Sequence, residues 1–353
     1  MTVTVVGTPG DRRVRLFAAA CESEPRVVAW TDVLRGAGLG IGPGDVVRID
    51  SPGEDAAADA LLRGPGDPAR VGGGARWYAT FTAGLDRLAA TGARLLNDPG
   101  EIAVMFDKRR CHALLAAAGV PVPPALPRVT SHAELRERMD AAGVRRVFVK
   151  AAHGSSAAGV VALQTAPGGR IRAVTSVAMG PDGPHNSLRV SVYESERDVA
   201  RLIDVLAPDG LHVEGWMPKA SIGGRPLDLR VVVIAGEATH AVVRTSPHPM
   251  TNLHLGGARG DLGAVRDALG ERGWRRALEV CEAAAACFPR SLMVGVDLLV
   301  GVGWRRFAVG EANAFGDLLP GLTGLPGTSA EGLDTYTAQV RAALMGNAQV
   351  CTT

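Results

Sequence analysis

Short apolar runs alternate along this chain with segments whose apolar residues have helical spacing. Val3-Thr4-Val5-Val6 is typical of a buried strand, and the turn-forming residues Gly7-Thr8-Pro9-Gly10-Asp11 follow it directly. In the first part of the chain the pattern predicts strands at residues 3–6, 45–49 and 94–96 and helices at residues 12–21, 54–63 and 78–90. Strands that alternate with helices are typical of an α/β domain.

The rest of the chain carries more strands, two of which flank Gly180-Pro181-Asp182-Gly183 and predict a hairpin. The predicted strands cover residues 146–150, 159–164, 171–179, 188–194, 211–214, 229–235, 239–244, 293–300 and 306–311. One predicted helix begins at Lys108, and three others cover residues 131–142, 198–206 and 261–288. Because Asp98-Pro99-Gly100 has the chemistry of a turn, we place a boundary there and expect three units, at residues 1–97, 98–213 and 214–353.

Composition excludes several classes of protein. With 353 residues, of which 46% are hydrophobic, the chain can bury a large core. A net charge of +2, with arginines scattered among acids, argues against nucleic acid as a partner. The five cysteines show no CxxC spacing and no signal peptide is recognisable, so we expect reduced thiols in the cytoplasm. The longest apolar stretches, such as residues 291–303, are shorter than the roughly 18 residues of a membrane span, and we expect none.

Lysine is scarce: Lys108, Lys150 and Lys219 stand against 35 arginines. A lysine retained in such a composition suggests a place that needs a compact ammonium rather than a planar guanidinium. Lys108 begins a helical stretch, and Lys150 ends a strand just before the glycine- and serine-rich residues 153–159. Both positions suit phosphate binding; the alternative is chance retention on the surface.

Two late strands carry oxygen ligands. Asp297 lies within one strand, and Glu311 and Asn313 lie two residues apart at the end of the next, so the latter two share a strand face. Two carboxylates and a neutral oxygen ligand suit Mg²⁺. The alternative is that Asp297 is a buried, paired structural acid and that Asn313 is a turn residue.

Four segments occur in a characteristic order, and together they resemble the ATP-grasp superfamily, most closely its RimK-like and glutathione synthetase branch. They are Asp107-Lys108, then Phe148-Val149-Lys150 with the glycine- and serine-rich loop, then Glu214-Gly215-Trp216-Met217 with Asp228-Leu229-Arg230, then Gly295-Val296-Asp297 with Glu311-Ala312-Asn313. The resemblance covers about residues 98–325. It implies an α/β (α+β) ATP-grasp fold behind an N-terminal Rossmann-like, pre-ATP-grasp domain. Residues 98–213 would be the central lid subdomain and 214–353 the C-terminal subdomain.

The resemblance implies ATP and Mg²⁺ as cofactors. Residues that match Asp297, Glu311 and Asn313 hold the metal ions in the family, and those that match Lys108 and Lys150 bind α- and β-phosphate oxygens. The loop with Ser155 and Ser156 would fold over the triphosphate, since small residues let backbone N–H groups approach phosphate. A plain hairpin turn is the alternative for this loop.

The hinge Glu214-Gly215-Trp216-Met217 matches the strand that receives adenine, and Asp228 matches the acid that takes the ribose hydroxyls. Trp216 and Met217 would form an apolar slot for the base, with ordinary core packing as the alternative. Asn252 would also contact the nucleotide. Lys219 could reach nucleotide or substrate, but we expect it to be exposed and without a role.

Arg230 and Arg244 are our candidate catalytic residues, because an arginine near the metal can stabilise the negative charge of phosphoryl transfer. The sequence departs from the family here. RimK-like enzymes carry Arg-Ser-Asn-Leu-His where this chain has Met250-Thr251-Asn252-Leu253-His254. One phosphate contact is therefore missing or is supplied by Arg244.

The resemblance implies an ATP-dependent ligase that joins a carboxylate to an amine-type nucleophile through an acylphosphate. Its partners would be small-molecule or peptide carboxylates and amines, and a homodimer is an open alternative. There are two alternative functions: an ATP-grasp kinase and a non-catalytic nucleotide-binding regulatory protein. The replacement of the family's arginine by Met250 favours the second. Substrate contacts should come from the first domain and residues 315–321. Arg12 and Arg13 could clamp a substrate carboxylate there, or lie on a solvated helix face.

Overall fold

The computed structural model describes residues 2–53, 55–154, 158–180 and 183–350, with the backbone alone for residue 254 and residues 345–350. The strands are β1 (Thr2–Gly7), β2 (Arg26–Ala29), β3 (Asp45–Ile49), β4 (Arg94–Leu95), β5 (Arg146–Ala151), β6 (Val161–Ala166), β7 (Arg170–Gly180), β8 (Gly183–Tyr193), β9 (Leu211–Gly215), β10 (Ser221–Ile222), β11 (Arg225–Ile234), β12 (Glu237–Thr245), β13 (Ala258–Arg259), β14 (Met293–Val300) and β15 (Phe307–Asn313). The helices are α1 (Arg12–Ala20), α2 (Trp30–Arg35), α3 (Ala56–Arg63), α4 (Gly74–Ala89), α5 (Pro99–Phe106), α6 (Lys108–Ala117), α7 (His132–Ala141), α8 (Glu196–Leu206), α9 (Leu262–Ala286) and α10 (Thr335–Val350).

An N-terminal sheet has the strand order β2-β1-β3-β4, and all its pairings are parallel. This confirms the predicted α/β character of the first domain, and β3 has the predicted bounds. Asp11 caps α1, since its side chain accepts a hydrogen bond from the Arg13 amide. The sequence analysis missed β2, α2, α5 and α10 as well as the two-residue strands β10 and β13. Helix α10 returns to the N-terminal sheet, where Tyr336 lies in one apolar cluster with Val14 and Phe17 of α1.

A middle sheet, with the order β8-β7-β6-β5-β9, is antiparallel and contains the predicted hairpin as β7 and β8. Val147 and Val149 of β5 are fully buried and belong to one cluster with Leu135 of α7 and Leu202 of α8. Because strand side chains alternate between faces, Phe148 and Lys150 point to the other side of this sheet. That side forms one wall of a cleft.

A C-terminal sheet forms the other wall, with the order β13-β12-β11-β14-β15 and the short β10 beside β11. Its buried face, which includes Val296 and Leu298, packs against α9 through Ala277 and Cys281. The predicted long helix is present as α9, but it kinks at Gly270, whose φ of 65° is not helical. On the opposite face, Asp228, Arg230 and Asp297 point into the cleft, whereas Val232, Val242 and Met293 pack in a second apolar cluster with Ala338 of α10.

Helices α5 and α6 share the main core with the C-terminal sheet rather than the core of the middle sheet, through Ile102, Met105, Cys111 and Leu115. The division at residues 97/98 and 213/214 stays our proposal for the domain boundaries. Within the described ranges, each helix is too short or too polar to span a membrane.

Candidate active site

A row of charged side chains crosses the C-terminal sheet on its cleft face. Strand pairing sets Asp228 opposite Arg244, Arg230 opposite Asp297, and Asp297 opposite Glu311. Because these residues lie on four neighbouring strands, only the sheet register brings them together. The two acids predicted as metal ligands are thus direct neighbours, with both predicted catalytic arginines beside them.

Asp297 lies between the two arginines. Arg230 Nε donates a short hydrogen bond to Asp297 Oδ1, and Arg244 Nη2 lies 3.1 Å from Asp297 Oδ2. Burial alone would raise the pKa of Asp297, but the two guanidinium groups outweigh it and lower the pKa to about 2. Asp297 is therefore ionised at neutral pH, as a metal ligand must be.

Asn313 follows Glu311 on the same strand, opposite Gly295. Its Nδ2 atom is buried and has no hydrogen-bond partner among the described residues. A buried amide without a partner is costly, and rotation of the amide group could present its oxygen instead. The described residues contain no cluster of three or more histidines, cysteines or acids that could hold a metal ion, and the predicted ligand set here is two carboxylates and one amide.

Two of the lysines bridge the cleft. Lys108 Nζ, at the start of α6, donates to Glu311 Oε1 at 2.6 Å and to the Gly154 carbonyl at 2.7 Å. Lys150 Nζ lies 2.6 Å from Glu214 Oε1 and donates to the Gly310 carbonyl at 3.4 Å. Both ammonium groups therefore lie on buried or half-buried acids inside the cleft, and the alternative of chance retention on the surface is wrong for these two residues.

Glu214 is almost completely buried and binds two partners. One partner is Lys150, and the other is His212, whose Nε2 atom lies 3.2 Å from Glu214 Oε2. Burial would raise the pKa of Glu214, but Lys150 and then His212 lower it to about 2. Sequence reasoning missed His212, although its position two residues before Glu214 on the same strand places both on one face.

The backbone of the hinge after Glu214 forms hydrogen bonds with two other segments of the chain. The Gly215 amide donates to the Pro124 carbonyl at 2.8 Å, and the Trp216 amide donates to the Arg146 carbonyl at 3.1 Å. The Met217 amide has no acceptor within the described part of the chain. The Trp216 ring packs on Phe148, with the ring centres 5.1 Å apart.

Asp228 is buried and binds three neighbours. Arg244 Nε donates to Oδ1 at 2.8 Å, Thr251 Oγ1 donates a short hydrogen bond to Oδ2, and Lys219 Nζ lies 3.7 Å from Oδ2. Our expectation that Lys219 is exposed was wrong, since only 7% of its side chain is accessible. Burial lowers the pKa of Lys219 despite the attraction of Asp228. The sequence carried no signal for this, because the partners come from a strand and a loop farther along the chain.

The segment after β12 contacts the middle sheet. Met250, where RimK-like enzymes have arginine, is 5% exposed and lies in an apolar cluster with Val160, Val174 and Leu255. Its departure from the family pattern therefore has a packing reason. Asn252 is half-buried in the same segment. The predicted phosphate contacts Ser155 and Ser156 lie outside the described residues.

A small cavity of about 20 Å³ lies beside the two lysines and their acidic partners. Its lining includes both lysines and their partners as well as an apolar wall, namely Met105, Lys108, Cys111, His112, Leu115, Val122, Lys150, His212, Glu214, Val309, Gly310 and Glu311. The apolar part of this lining comes mainly from α5, α6 and β15 and does not include Trp216 or Met217, whose role as a slot for the base stays a prediction.

No protein-family model matches the sequence, and no curated protein matches it. Solved structures do match. D-cycloserine synthetase DcsG superposes with a TM-score of 0.58 at 18% identity, over 98% of this chain and 100% of that chain. The ATP-grasp ligase PsnB, complexed with a phosphomimetic variant of its minimal precursor, Mg and ADP, has a TM-score of 0.52 at 16% identity, over 98% and 99%.

The D-alanine–D-alanine ligase from Bacillus anthracis, complexed with ATP, has a TM-score of 0.53 at 13% identity and covers 99% of this chain and 98% of its own. At sequence identities this low, the superpositions show the fold alone. The chemistry has to be argued from the residues of the site. The three sheets and their order agree with the fold that the sequence motifs implied. This chain has the ATP-grasp fold.

Proposed function

We propose that the protein is an ATP-dependent ligase that joins a carboxylate to an amine-type nucleophile through an acylphosphate and releases ADP and phosphate. One observation carries the proposal. Asp297, Glu311 and Asn313 lie together on one wall of the cleft, and Lys108 reaches Glu311 across it. Anionic ligands for a cation and cations for a polyphosphate thus face the same space.

The residues fit Mg²⁺. The donor set consists of two carboxylates and one amide, and oxygen ligands are those that Mg²⁺ prefers. Both carboxylates are ion-paired in the structure, and the buried amide nitrogen of Asn313 has no hydrogen-bond partner among the described residues. When bound, the ion would neutralise phosphate charge. Arg230, Arg244 and Lys108, which hold these carboxylates here, would then be free to turn toward phosphate oxygens.

Adenine would bind at the hinge. The unpaired Met217 amide offers a donor to the base, in a wall where the neighbouring amides of Gly215 and Trp216 are already bonded. Lys150, held by Glu214, and Lys108 would bind α- and β-phosphate oxygens. Asp228 is our candidate for the ribose hydroxyls. In the structure its oxygens hold Arg244 and Thr251, so it would also fix the direction of Arg244.

The remaining chemistry needs position and charge rather than a side-chain nucleophile. Arg230 and Arg244 lie where they can stabilise the transferring phosphoryl group, and the second compensates for the arginine absent at position 250. An acylphosphate must be kept from water. Met250 and Leu255 form an apolar cluster with Val160 and Val174, and this contact would help to keep water out of the cleft at that side.

The test is a screen of small-molecule and peptide carboxylates, paired with amines, for ADP release, with mass spectrometry of the products. A ligase forms a condensed product together with ADP and phosphate. A phosphorylated product without condensation would identify a kinase. Tight Mg-ATP binding with no ADP release for any pair would identify a non-catalytic nucleotide-binding protein.

A further inference from the structure

A second group of buried charges lies outside the nucleotide cleft, between the N-terminal sheet and the segment after β15. Arg48 Nη2 donates to Asp317 Oδ2 at 2.6 Å, and Arg48 Nη1 donates to Gln339 Oε1 at 2.5 Å. Arg13 Nη1 donates to Asp317 Oδ1 at 2.9 Å. Asp50 lies 3.6 Å from Arg48. Two arginines therefore share one fully buried carboxylate.

Several polar atoms of this group lack the hydrogen bonds that they would have in a purely structural network. Asp50 Oδ2, Arg48 Nε and the Tyr336 hydroxyl are buried and have no hydrogen-bond partner among the described residues. Buried polar atoms without partners cost stability, and they are rare in protein cores. The cost suggests that the group has a purpose other than joining two parts of the fold.

Arg13 is the member of this group that a ligand can reach. A quarter of its side chain is exposed, whereas Arg48 is 4% exposed. Both described side-chain hydrogen bonds of Arg13, to the carbonyl of Phe315 at 2.8 Å and to Asp317, use Nη1. Its Nε and Nη2 donate to no acceptor in the described ranges. The Nε–Nη2 edge of the Arg13 guanidinium therefore has a fixed direction and no acceptor among the described residues.

The position of Arg13 connects this open edge with the proposed reaction. It lies in the first turn of α1, beyond the carboxyl end of β1, which is where open parallel sheets bind ligands. Its acceptor Phe315 comes two residues after Asn313, and the next residue, Gly316, accepts a hydrogen bond from Arg230 at 3.2 Å. Arg13 is therefore linked through one short backbone segment to the arginine that holds Asp297.

We propose that Arg13 binds a carboxylate of one substrate, a carboxylate other than the one that is activated. The substrate class is an amino acid or short peptide with a free acid end. The open Nε–Nη2 edge of Arg13 presents two parallel N–H donors, which match the two oxygens of a carboxylate. This inference rests on the proposed ligase function and names part of its specificity. Arg12, the neighbouring arginine, is exposed and has no such contacts among the described residues.

Calorimetry tests the proposal without turnover. Amino acids of both enantiomers and dipeptides would be titrated as free acids and as carboxamides, with Mg²⁺ and a non-hydrolysable ATP analogue present. Wild type should bind at least one free acid about 10- to 100-fold more tightly than its carboxamide, the range of a charged hydrogen-bond pair. R13Q should remove this preference by weakening the free acid alone, R13K should retain part of it, and R12Q should match wild type.

Several results would overturn the proposal: equal affinity of wild type for acid and carboxamide, a preference that survives in R13Q, or no binding of any free acid. If R13Q does not fold, the acid-to-carboxamide ratio in wild type and R13K still decides. ATP-dependent ligation that ignores the free acid end would contradict this inference alone. Failure to bind Mg-ATP would contradict the proposed function itself.

Discussion

The ion pair between Lys150 and Glu214 offers the sharpest test of the cleft, because both groups are buried and 2.6 Å apart. The perturbation is a double-mutant cycle with Lys150→Met, Glu214→Gln and the double variant. Methionine keeps the length and apolar stem of lysine, and glutamine keeps the shape of glutamate. Each single change therefore removes a charge with little change in volume.

The magnitude follows from the pKa of Glu214. A fall from the ordinary value of 4.5 to about 2 corresponds to roughly 3 kcal/mol of stabilisation of the carboxylate, most of it from Lys150. Lys150→Met should lower the free energy of unfolding by about 3 kcal/mol at neutral pH, since it leaves a buried charge with His212 alone. In the Glu214→Gln background the same change should cost less than about 1 kcal/mol. The coupling energy should therefore be about 2 kcal/mol.

The assay is urea denaturation of the four proteins as a function of pH. The folded-state pKa is depressed, so the stabilisation is complete above pH 4.5 and is lost as the pH falls from 4.5 toward 2. Wild type should lose stability in that window, and Lys150→Met should lose much less there. Strictly additive effects, or equal pH slopes in the two proteins, would show that the pair is not coupled and that Lys150 is not held by Glu214.

Four further outcomes are expected. Mg-ATP should raise the melting temperature, because it binds the folded state only; no change at millimolar ligand would contradict the proposed site. Asp297→Asn and Glu311→Gln should each abolish ADP release, checked beside circular dichroism spectra that show a retained fold. Lys219→Arg should destabilise the protein by about 1–3 kcal/mol in a thermal melt, because a larger group must fit a buried site; an unchanged melt would refute its burial. Met250→Arg should lower the melting temperature without increasing ADP release, since it introduces a charge into an apolar cluster; a gain in activity would show that Arg244 does not compensate.

The sequence predicted most of the elements and the strand face on which the predicted metal ligands lie. Strand side chains alternate with a period of two, so the spacing of Glu311 and Asn313 by itself places both on one side of β15. Local turn chemistry and apolar runs likewise predicted most strands, and β3 has the predicted bounds. The short β2 and the helix α10 lacked a strong periodic signal, and their stability comes from neighbours distant in the sequence.

Only the tertiary structure decided which charges meet. Whether Lys219 is exposed, whether Arg12 or Arg13 turns inward, and which arginine holds Asp297 depend on the register between strands and on how separate elements dock. A period along the chain determines the direction of a side chain, whereas its partner depends on residues tens or hundreds of positions away, such as Asp317 for Arg13. Ion pairs act over a few ångströms and carry no local sequence pattern, and for that reason the sequence indicated the candidate residues of the site but not which of them pair with one another.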